Sequence, residues 1–199
     1  MAGTPKLENR PVRIVGGAFR GRVLMAPTGR VTRPTADRVR EALFDILVSA
    51  ALAEGKGDLD GIAVLDVFAG SGALGFEALS RGAARAAFIE TEANALKVLG
   101  ENIRKLGVAD RATLLRFDAT APPKASAAYD LVMLDPPYRS GLVGPALSAL
   151  LKRGWIAPAA SIVVEVAAGE PFAPPDDFAI TDERKYGAAR LVFLAPVIS

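Results

Sequence analysis

Short apolar segments alternate with helical ones along most of this 199-residue chain, and that alternation restricts the fold more than any other feature. Apolar runs predict strands at 62–65, 86–89, 113–117, 131–134 and 161–166. Helical periodicity predicts helices at 72–81, 96–106 and 142–153. Two last segments, 178–184 and 189–194, predict a closing antiparallel pair of strands. Strands that alternate with helices form a parallel, doubly wound sheet, which binds ligands beyond the carboxyl ends of its strands. We therefore predict an α/β, Rossmann-like fold whose functional residues follow the strands.

A smaller unit precedes this sheet. Residues 13–15 and 22–25 predict short strands around glycine-rich turns, and an apolar stripe predicts a helix from Thr35 to about residue 52. Glycines at 55, 57 and 61 end the unit. We therefore divide the chain into an N-terminal β-hairpin and helix at 1–55 and a main domain at 56–199.

The sequence contains neither histidine nor cysteine. Their absence excludes disulfides, thiolate or imidazole metal ligation, cysteine nucleophiles and Ser-His-Asp catalysis. The chemistry must use carboxylates, backbone groups, hydroxyls, cationic side chains or a reactive cofactor, and we predict no metal site. No apolar run reaches the roughly 18 residues of a membrane span, and residues 1–10 lack an apolar signal core. We expect a cytoplasmic protein that binds no membrane and, without an apolar stripe that demands a partner, acts as a monomer.

Positive charge is concentrated near the N-terminus. Residues 10–40 contain eight arginines and one acid, a net charge of +7, whereas residues 41–199 carry −5. Arginine is suited to bidentate phosphate contacts and to stacking on bases. A basic segment on an otherwise acidic domain therefore predicts a nucleic-acid partner, although a solvated arginine-rich face would look the same.

A glycine-rich loop follows the first strand of the main domain. Gly70-Ser71-Gly72-Ala73-Leu74-Gly75 matches G-x-G-x-x-G, and Glu90 lies 20 residues after Gly70, which fits either a dinucleotide or S-adenosylmethionine. Asp66 favours S-adenosylmethionine, because an anion there would repel a pyrophosphate but attract a sulfonium and an ammonium group. Glu90 could then accept the ribose hydroxyls, and Asp118 the adenine amino group. The predicted cofactor-binding residues are Asp66, Phe68, Ala69, Gly70, Ser71, Gly72, Glu90, Asp118 and Ala119.

The segment Asp135-Pro136-Pro137-Tyr138 follows the fourth predicted strand and is the predicted catalytic loop. An exocyclic base amine is a poor nucleophile because its lone pair is delocalised into the ring. Hydrogen bonds from its two N–H groups to the Asp135 carboxylate and the Pro136 carbonyl would favour a more nucleophilic nitrogen, and prolines hold those acceptors rigidly. Tyr138 could stack on an unstacked base. The pattern predicts methylation of an amine on a planar group, without choosing between a base and a glutamine side chain.

Together, several segments resemble one family. They are 13–17 (RIVGG), 20–22 (RGR), 33–35 (RPT), 37–41 (DRVRE), 68–72 (FAGSG) and 135–138 (DPPY). They resemble the bacterial RsmD family over nearly the whole chain. The resemblance implies a seven-stranded methyltransferase sheet with an N-terminal β-hairpin that helps to bind RNA. It also implies methylation of N2 of one guanine in 16S ribosomal RNA, on assembled or assembling small subunits, with Arg33 and Arg38 near the RNA. The predicted RNA-binding residues are Arg13, Arg20, Arg22, Arg33 and Arg38.

The sequence leaves three other hypotheses open. The first is an amine methyltransferase of the same fold that acts on adenine N6, in DNA or RNA, or on a glutamine side chain. The second is a dinucleotide-dependent oxidoreductase, which Asp66 and the proline loop disfavour. The third is a non-catalytic RNA-binding protein that retains the fold.

Overall fold

The computed structural model describes residues 11–27, 34–53 and 58–197. The N-terminal part contains β1 (Val12–Arg13), a 3-10 turn (Gly17–Phe19), β2 (Val23–Leu24) and α1 (Pro34–Ala53). The main part contains β3 (Ala63–Val67), α2 (Ala73–Ser80), β4 (Arg85–Ile89), α3 (Ala93–Leu106), β5 (Ala112–Leu115), β6 (Tyr129–Leu134), α4 (Val143–Lys152), β7 (Ile156–Ala167), β8 (Phe178–Tyr186) and β9 (Ala189–Pro196). Among these residues, no helix combines the length and the apolar character that crossing a membrane requires.

Seven strands form one sheet in the order β5-β4-β3-β6-β7-β9-β8. Strands β5, β4, β3, β6 and β7 are parallel, and β9 pairs antiparallel with both β7 and β8. The two N-terminal strands pair with each other as a separate hairpin. This arrangement confirms the predicted Rossmann-like methyltransferase fold, with its closing antiparallel pair and its small hairpin extension.

The strand order reverses between β3 and β6. Strands β4 and β5 extend the sheet on one side of β3, and β6 begins the other side. The register pairs Val67 with Leu134, the last residues of β3 and β6. The glycine-rich loop and the Asp135 loop therefore leave the same edge of the sheet side by side, at the position where doubly wound sheets bind ligands.

Helix α3 shows how the sequence specifies these elements locally. The Glu92 side chain accepts hydrogen bonds from the backbone N–H groups of Asn94 and Ala95, which caps the first turn. Gly107 ends the helix in the left-handed conformation, at φ 72°. Between them lies an apolar stripe that faces the sheet and includes Leu99 and Ile103. This agreement of caps and stripe is why the predicted helix matches the observed one.

Apolar clusters cover both faces of the sheet. One joins residues of α2, α3 and β4, such as Phe76 and Phe88, with Ile14, Leu24 and Phe44 of the N-terminal part. The other lies beneath α4 and around Trp155. The N-terminal extension thus shares a core with the main sheet, whereas the boundary at 55/56 falls outside the described residues and stays a prediction.

Strand β7 begins earlier than predicted, at Ile156 instead of residue 161. Ile156 pairs with Tyr129, and the next paired position joins Ser161 to Leu131, so the register shifts between them. Pro158 lies in the extra segment and has no N–H to donate to the ladder, which suits a bulge. The apolar pattern revealed only the regular part of this strand.

Candidate active site

The loop between β3 and α2 is tightly curled. Phe68, Gly70 and Gly72 all have left-handed backbone angles, at φ 62°, 56° and 79°. A side chain on Gly72 would also place its Cβ 2.5 Å from the ring of Phe76 and 2.6 Å from Leu99. Only glycine meets both demands at position 72. Phe68 adopts this conformation without that freedom, and such strain is concentrated at functional sites.

Glu90, at the end of β4, holds the glycine loop in place. Its carboxylate is 8% exposed and accepts the N–H of Gly70 at 2.9 Å. It also accepts the N–H groups of Thr91 at 2.8 Å and Glu92 at 3.0 Å. A carboxylate offers about four acceptor positions, so bonds to both hydroxyls of a ribose would require Glu90 to release at least one backbone N–H. The predicted ribose contact is compatible with this position and stays a prediction.

Asp66 lies beneath the same loop. It is 1% exposed, and its Oδ2 accepts the Gly75 N–H at 2.9 Å. Burial raises the pKa of Asp66 well above its usual range, and the nearby carboxylates of Asp135 and Glu90 raise it further, against the Gly75 hydrogen bond. Burial therefore favours the neutral form of this acid, which weakens the predicted repulsion between Asp66 and a pyrophosphate. Three acids nevertheless converge at this edge of the sheet, an environment that a cationic ligand would stabilise.

Asp118 follows β5 and is exposed. Its Oδ1 accepts hydrogen bonds from the backbone N–H and the hydroxyl of Thr120, both at 2.8 Å. These bonds form a local turn of the kind that aspartate favours at strand ends. Ala119 is buried beside it. These contacts neither support nor contradict the predicted contact of Asp118 with an adenine amino group, which stays a prediction.

The Asp135 loop leaves β6 next to the glycine loop. The Asp135 N–H points to the Val67 carbonyl at 3.4 Å, which joins the ends of the two central strands. The Asp135 side chain is exposed, Pro136 is buried, and Pro137 is exposed. Tyr138 donates its hydroxyl to Oε1 of Glu165 at 2.7 Å. The predicted catalytic residues therefore form a short loop whose acid faces solvent and whose tyrosine is held by the next strand.

Arg139 fixes the far side of that loop. It has a left-handed backbone angle, φ 58°, and its N–H lies 3.1 Å from each carboxylate oxygen of Glu170. Glu170 is itself held by Arg190, whose Nη2 donates to the Glu170 carbonyl at 2.7 Å. The strained turn at Arg139 is thus maintained from outside the loop.

A cavity of about 250 Å³ opens beside the Asp135 loop. Its walls include Pro136, Pro137, Tyr138, Glu165, Glu170 and Phe172. The lining combines flat apolar side chains with a few acceptor groups, the usual composition of a site for a planar, polar ligand. The loop was predicted from the sequence, but Glu165, which lies within β7, and Glu170, which follows β7, carry no motif and were not predicted.

Four of the predicted RNA-binding arginines are exposed: Arg13, Arg20, Arg22 and Arg38. Arg33 lies outside the described residues. The guanidinium of Arg22 lies 5.2 Å from the ring centre of Phe19, an arrangement that orients the side chain on the surface.

Arg40, which contributes to the basic segment, is instead 6% exposed. It donates to Asp37 at 2.7 Å and to the carbonyl of Arg13. At least one charge of the basic segment therefore serves packing and not a partner.

Buried polar side chains of α2 fasten the N-terminal extension. Glu77 is fully buried and accepts the N–H groups of Val15 at 2.8 Å and Gly16 at 2.7 Å, while it pairs with Arg81 at 3.0 Å. Ser80 accepts the N–H of Phe19 at 2.8 Å. The signal in the sequence was a charged residue inside an apolar helix, and Glu77 was not among the predicted functional residues.

Asn102 on α3 makes a second attachment. It is fully buried; its Oδ1 accepts the Met25 N–H at 2.8 Å, and its Nδ2 donates to the carbonyls of Met25 and Ser71, both at 3.0 Å. One side chain thus connects the extension to the glycine loop.

The strand order, the curled glycine loop after β3 and the proline loop after β6 define a Rossmann-like methyltransferase. The family profile described as "Conserved hypothetical protein 95" matches residues 12–195. The chain belongs to this family, the RsmD family.

Relatives of known name agree with that assignment. "Ribosomal RNA small subunit methyltransferase D" of Haemophilus influenzae is 34% identical over 92% of this chain and 93% of its own length. The protein of the same name from Escherichia coli K12 is 38% identical over 82% of this chain and 79% of its own. The solved structure of yhhF from Escherichia coli, a protein assigned as a methyltransferase, superposes with a TM-score of 0.78 at 33% identity, covering 96% of this chain and all of that one.

Proposed function

We propose that the chain is an S-adenosylmethionine-dependent methyltransferase that modifies N2 of one guanine in 16S ribosomal RNA. The observation that carries this proposal is the position of the Asp135 loop. It leaves β6 beside the glycine loop that leaves β3, and a cavity large enough for a base lies next to it. The names of the relatives support ribosomal RNA of the small subunit as the substrate.

The residues at the edge of the sheet fit this cofactor, which would supply an electrophilic methyl group on a sulfonium. Asp66, Glu90 and Asp135 converge there, and a ligand with two cationic groups would be attracted to this edge and would favour the ionised form of Asp66. The glycine loop, residues 68–72, would let the backbone approach the cofactor closely, and Glu90 would accept a ribose hydroxyl. Asp118 and Ala119 complete the proposed set beyond β5.

The Asp135 loop would activate the amine by holding it. The Asp135 carboxylate and the Pro136 carbonyl each accept one N–H of the amine, which localises its lone pair on nitrogen and aligns it for attack on the methyl carbon. Transfer of the methyl group that the cofactor would supply would leave positive charge on the amine nitrogen. The Asp135 carboxylate would stabilise that charge and accept the proton that leaves.

The exposed arginines of the extension would bind the RNA. Arg13, Arg20, Arg22 and Arg38 are available to phosphates, and we include Arg33 in the proposed set because of the family likeness. Their contacts would position the RNA without selecting the base, since phosphate contacts carry little sequence information. Selection of the base would belong to the cavity.

Identification of the methylated nucleoside tests the proposal. Purified protein and labelled S-adenosylmethionine are incubated with unmethylated small subunits, with naked 16S RNA and with DNA, and the labelled product is digested to nucleosides. We expect N2-methylguanosine from one of the two RNA substrates. N6-methyladenine, or label on DNA alone, would refute methylation of guanine and support the adenine alternative. Label on protein would indicate a glutamine side chain as the substrate.

A further inference from the structure

A second carboxylate lies beside the catalytic loop. The parallel register pairs Leu134 of β6 with Val164 of β7, so that Asp135 and Glu165 occupy the next, equivalent positions. Neighbouring strands lie about 4.8 Å apart, which brings the two residues close together at one edge of the sheet. Glu165 also lines the cavity and accepts the Tyr138 hydroxyl at 2.7 Å. Its carboxylate is therefore held within the region that a base would occupy.

The hydrogen-bonding edge of guanine matches this pair of acids. Guanine carries donors on two neighbouring groups, the N2 amine and N1–H, which are bonded to the same ring carbon. Adenine carries an amine next to an N1 that only accepts. Since a carboxylate offers only acceptors, a base whose amine contacts Asp135 would satisfy a second carboxylate with N1–H in guanine, whereas adenine would bring a lone pair against it.

We propose that Glu165 is the residue that selects guanine, by accepting N1–H while Asp135 and the Pro136 carbonyl hold the N2 amine. This inference rests on the proposed function and identifies the part of the cavity that distinguishes the two bases. Tyr138 has a positioning role in addition to any stacking, since its hydroxyl fixes the carboxylate at the cavity wall. A site that hydrogen-bonds one substrate group rejects an analogue without it, and here an analogue without N1–H would turn a lone pair toward the Glu165 carboxylate.

Glu170 provides a matched comparison in the same cavity. Its carboxylate accepts the backbone N–H of Arg139 at 3.1 Å and lies 3.4 Å from the N–H of Ala167. Its role is to hold the turn after the catalytic loop. Removal of its charge should slow the reaction on every base to a similar extent.

The base analogue 2-aminopurine separates the two roles. It keeps the amine on the same carbon as guanine but has no hydrogen on N1. The target guanine is first mapped with the wild-type protein, and the same RNA is then prepared with guanine or 2-aminopurine at that position. The ratio of kcat/KM for the two substrates is measured for wild type, Glu165→Gln and Glu170→Gln, after circular dichroism has shown that each variant is folded.

We expect wild type to prefer guanine and Glu165→Gln to reduce that preference about 10- to 100-fold, because an amide can face either form of N1. Glu170→Gln should keep the wild-type ratio. An unchanged ratio in a folded Glu165→Gln that still turns over would overturn the assignment. If that variant does not fold, Tyr138→Phe takes its place, with a reduced ratio expected and an unchanged one contradicting the inference. Wild type that methylates no guanine in any RNA would refute the proposed function itself.

Discussion

Replacement of Asn102 by alanine tests the connection between the extension and the glycine loop. The substitution removes three buried hydrogen bonds, two to the backbone of Met25 and one to the carbonyl of Ser71. Each such bond contributes about 0.5–1.5 kcal/mol, and the partners would be left partly desolvated. We therefore expect a loss of about 2–4 kcal/mol in the free energy of unfolding. For a chain of this length the melting temperature would fall by roughly 4–16 °C.

Thermal and urea unfolding, followed by circular dichroism, measure this loss. Lys97→Ala is the control, because Lys97 is exposed on the same helix and should change stability by less than about 0.5 kcal/mol. A second readout is the affinity for S-adenosylmethionine, which should weaken in Asn102→Ala because the Ser71 carbonyl loses its support. The reasoning fails if Asn102→Ala unfolds within about 0.5 kcal/mol of wild type. It also fails if stability falls while cofactor affinity stays the same, since Asn102 would then support the extension alone.

Three further predictions concern charge. The pKa of Asp66 is raised, and a cationic cofactor favours its ionised form, so affinity for S-adenosylmethionine should increase as the pH rises from the ordinary aspartate range through that raised pKa. Titration calorimetry should show proton release on binding, and Asp66→Asn should abolish the pH dependence of the affinity. Asp135→Ala should reduce kcat by at least about 10²–10³ while calorimetry still detects the cofactor, and near-normal turnover would remove this carboxylate from the mechanism. Neutralisation of Arg20 and Arg22 should reduce the magnitude of the negative slope of log K against log salt for RNA binding by about 1–2. Arg153 is an exposed arginine at the end of α4, and Arg153→Ala should leave that slope unchanged.

The raised pKa of Asp66 also makes the stability of the folded chain depend on pH. An acid with a raised pKa in the folded chain keeps its proton after the unfolded chain has released it. The unliganded protein should therefore lose stability as the pH rises from the ordinary aspartate value through the raised pKa of Asp66. Bound cofactor would oppose this loss, because it stabilises the ionised carboxylate.

Local patterns predicted the strands and the residues that follow them. Apolar runs identified β3, β4 and β6, and a ligand site at strand ends is a property of the fold, so the two loops could be located without coordinates. The start of β7 could not, because its first residues belong to a bulge around Pro158 with no regular apolar pattern. Asp118 and Glu90 were identified as strand-end acids, but their backbone partners were not predicted.

Long-range polar contacts were the part that no local pattern could show. Glu77 reaches residues 61 and 62 positions earlier in the chain, and Asn102 reaches one 77 positions earlier. In each case the sequence shows only a polar residue on the buried side of a helix. Such a residue must find partners, because an unpaired buried polar group is costly, but the sequence does not identify them. Glu165 was missed for a related reason: its position beside Asp135 depends on strand register.

The same long-range contacts attach the N-terminal extension, which would bind RNA, to the helices beside the glycine loop. Residues 15–25 are held by Glu77, Ser80 and Asn102, all of which belong to the helices that follow the glycine loop. Without the extension, the fully buried Glu77 would lose the N–H groups of Val15 and Gly16 and keep Arg81, while the fully buried Asn102 would lose both bonds to Met25 and keep the Ser71 carbonyl. Each buried group left without its hydrogen-bond partner costs about 1–3 kcal/mol, and a charged group costs more. The basic extension is therefore part of the structural support of the glycine loop, because the Asn102 side chain binds both Met25 of the extension and Ser71 of that loop.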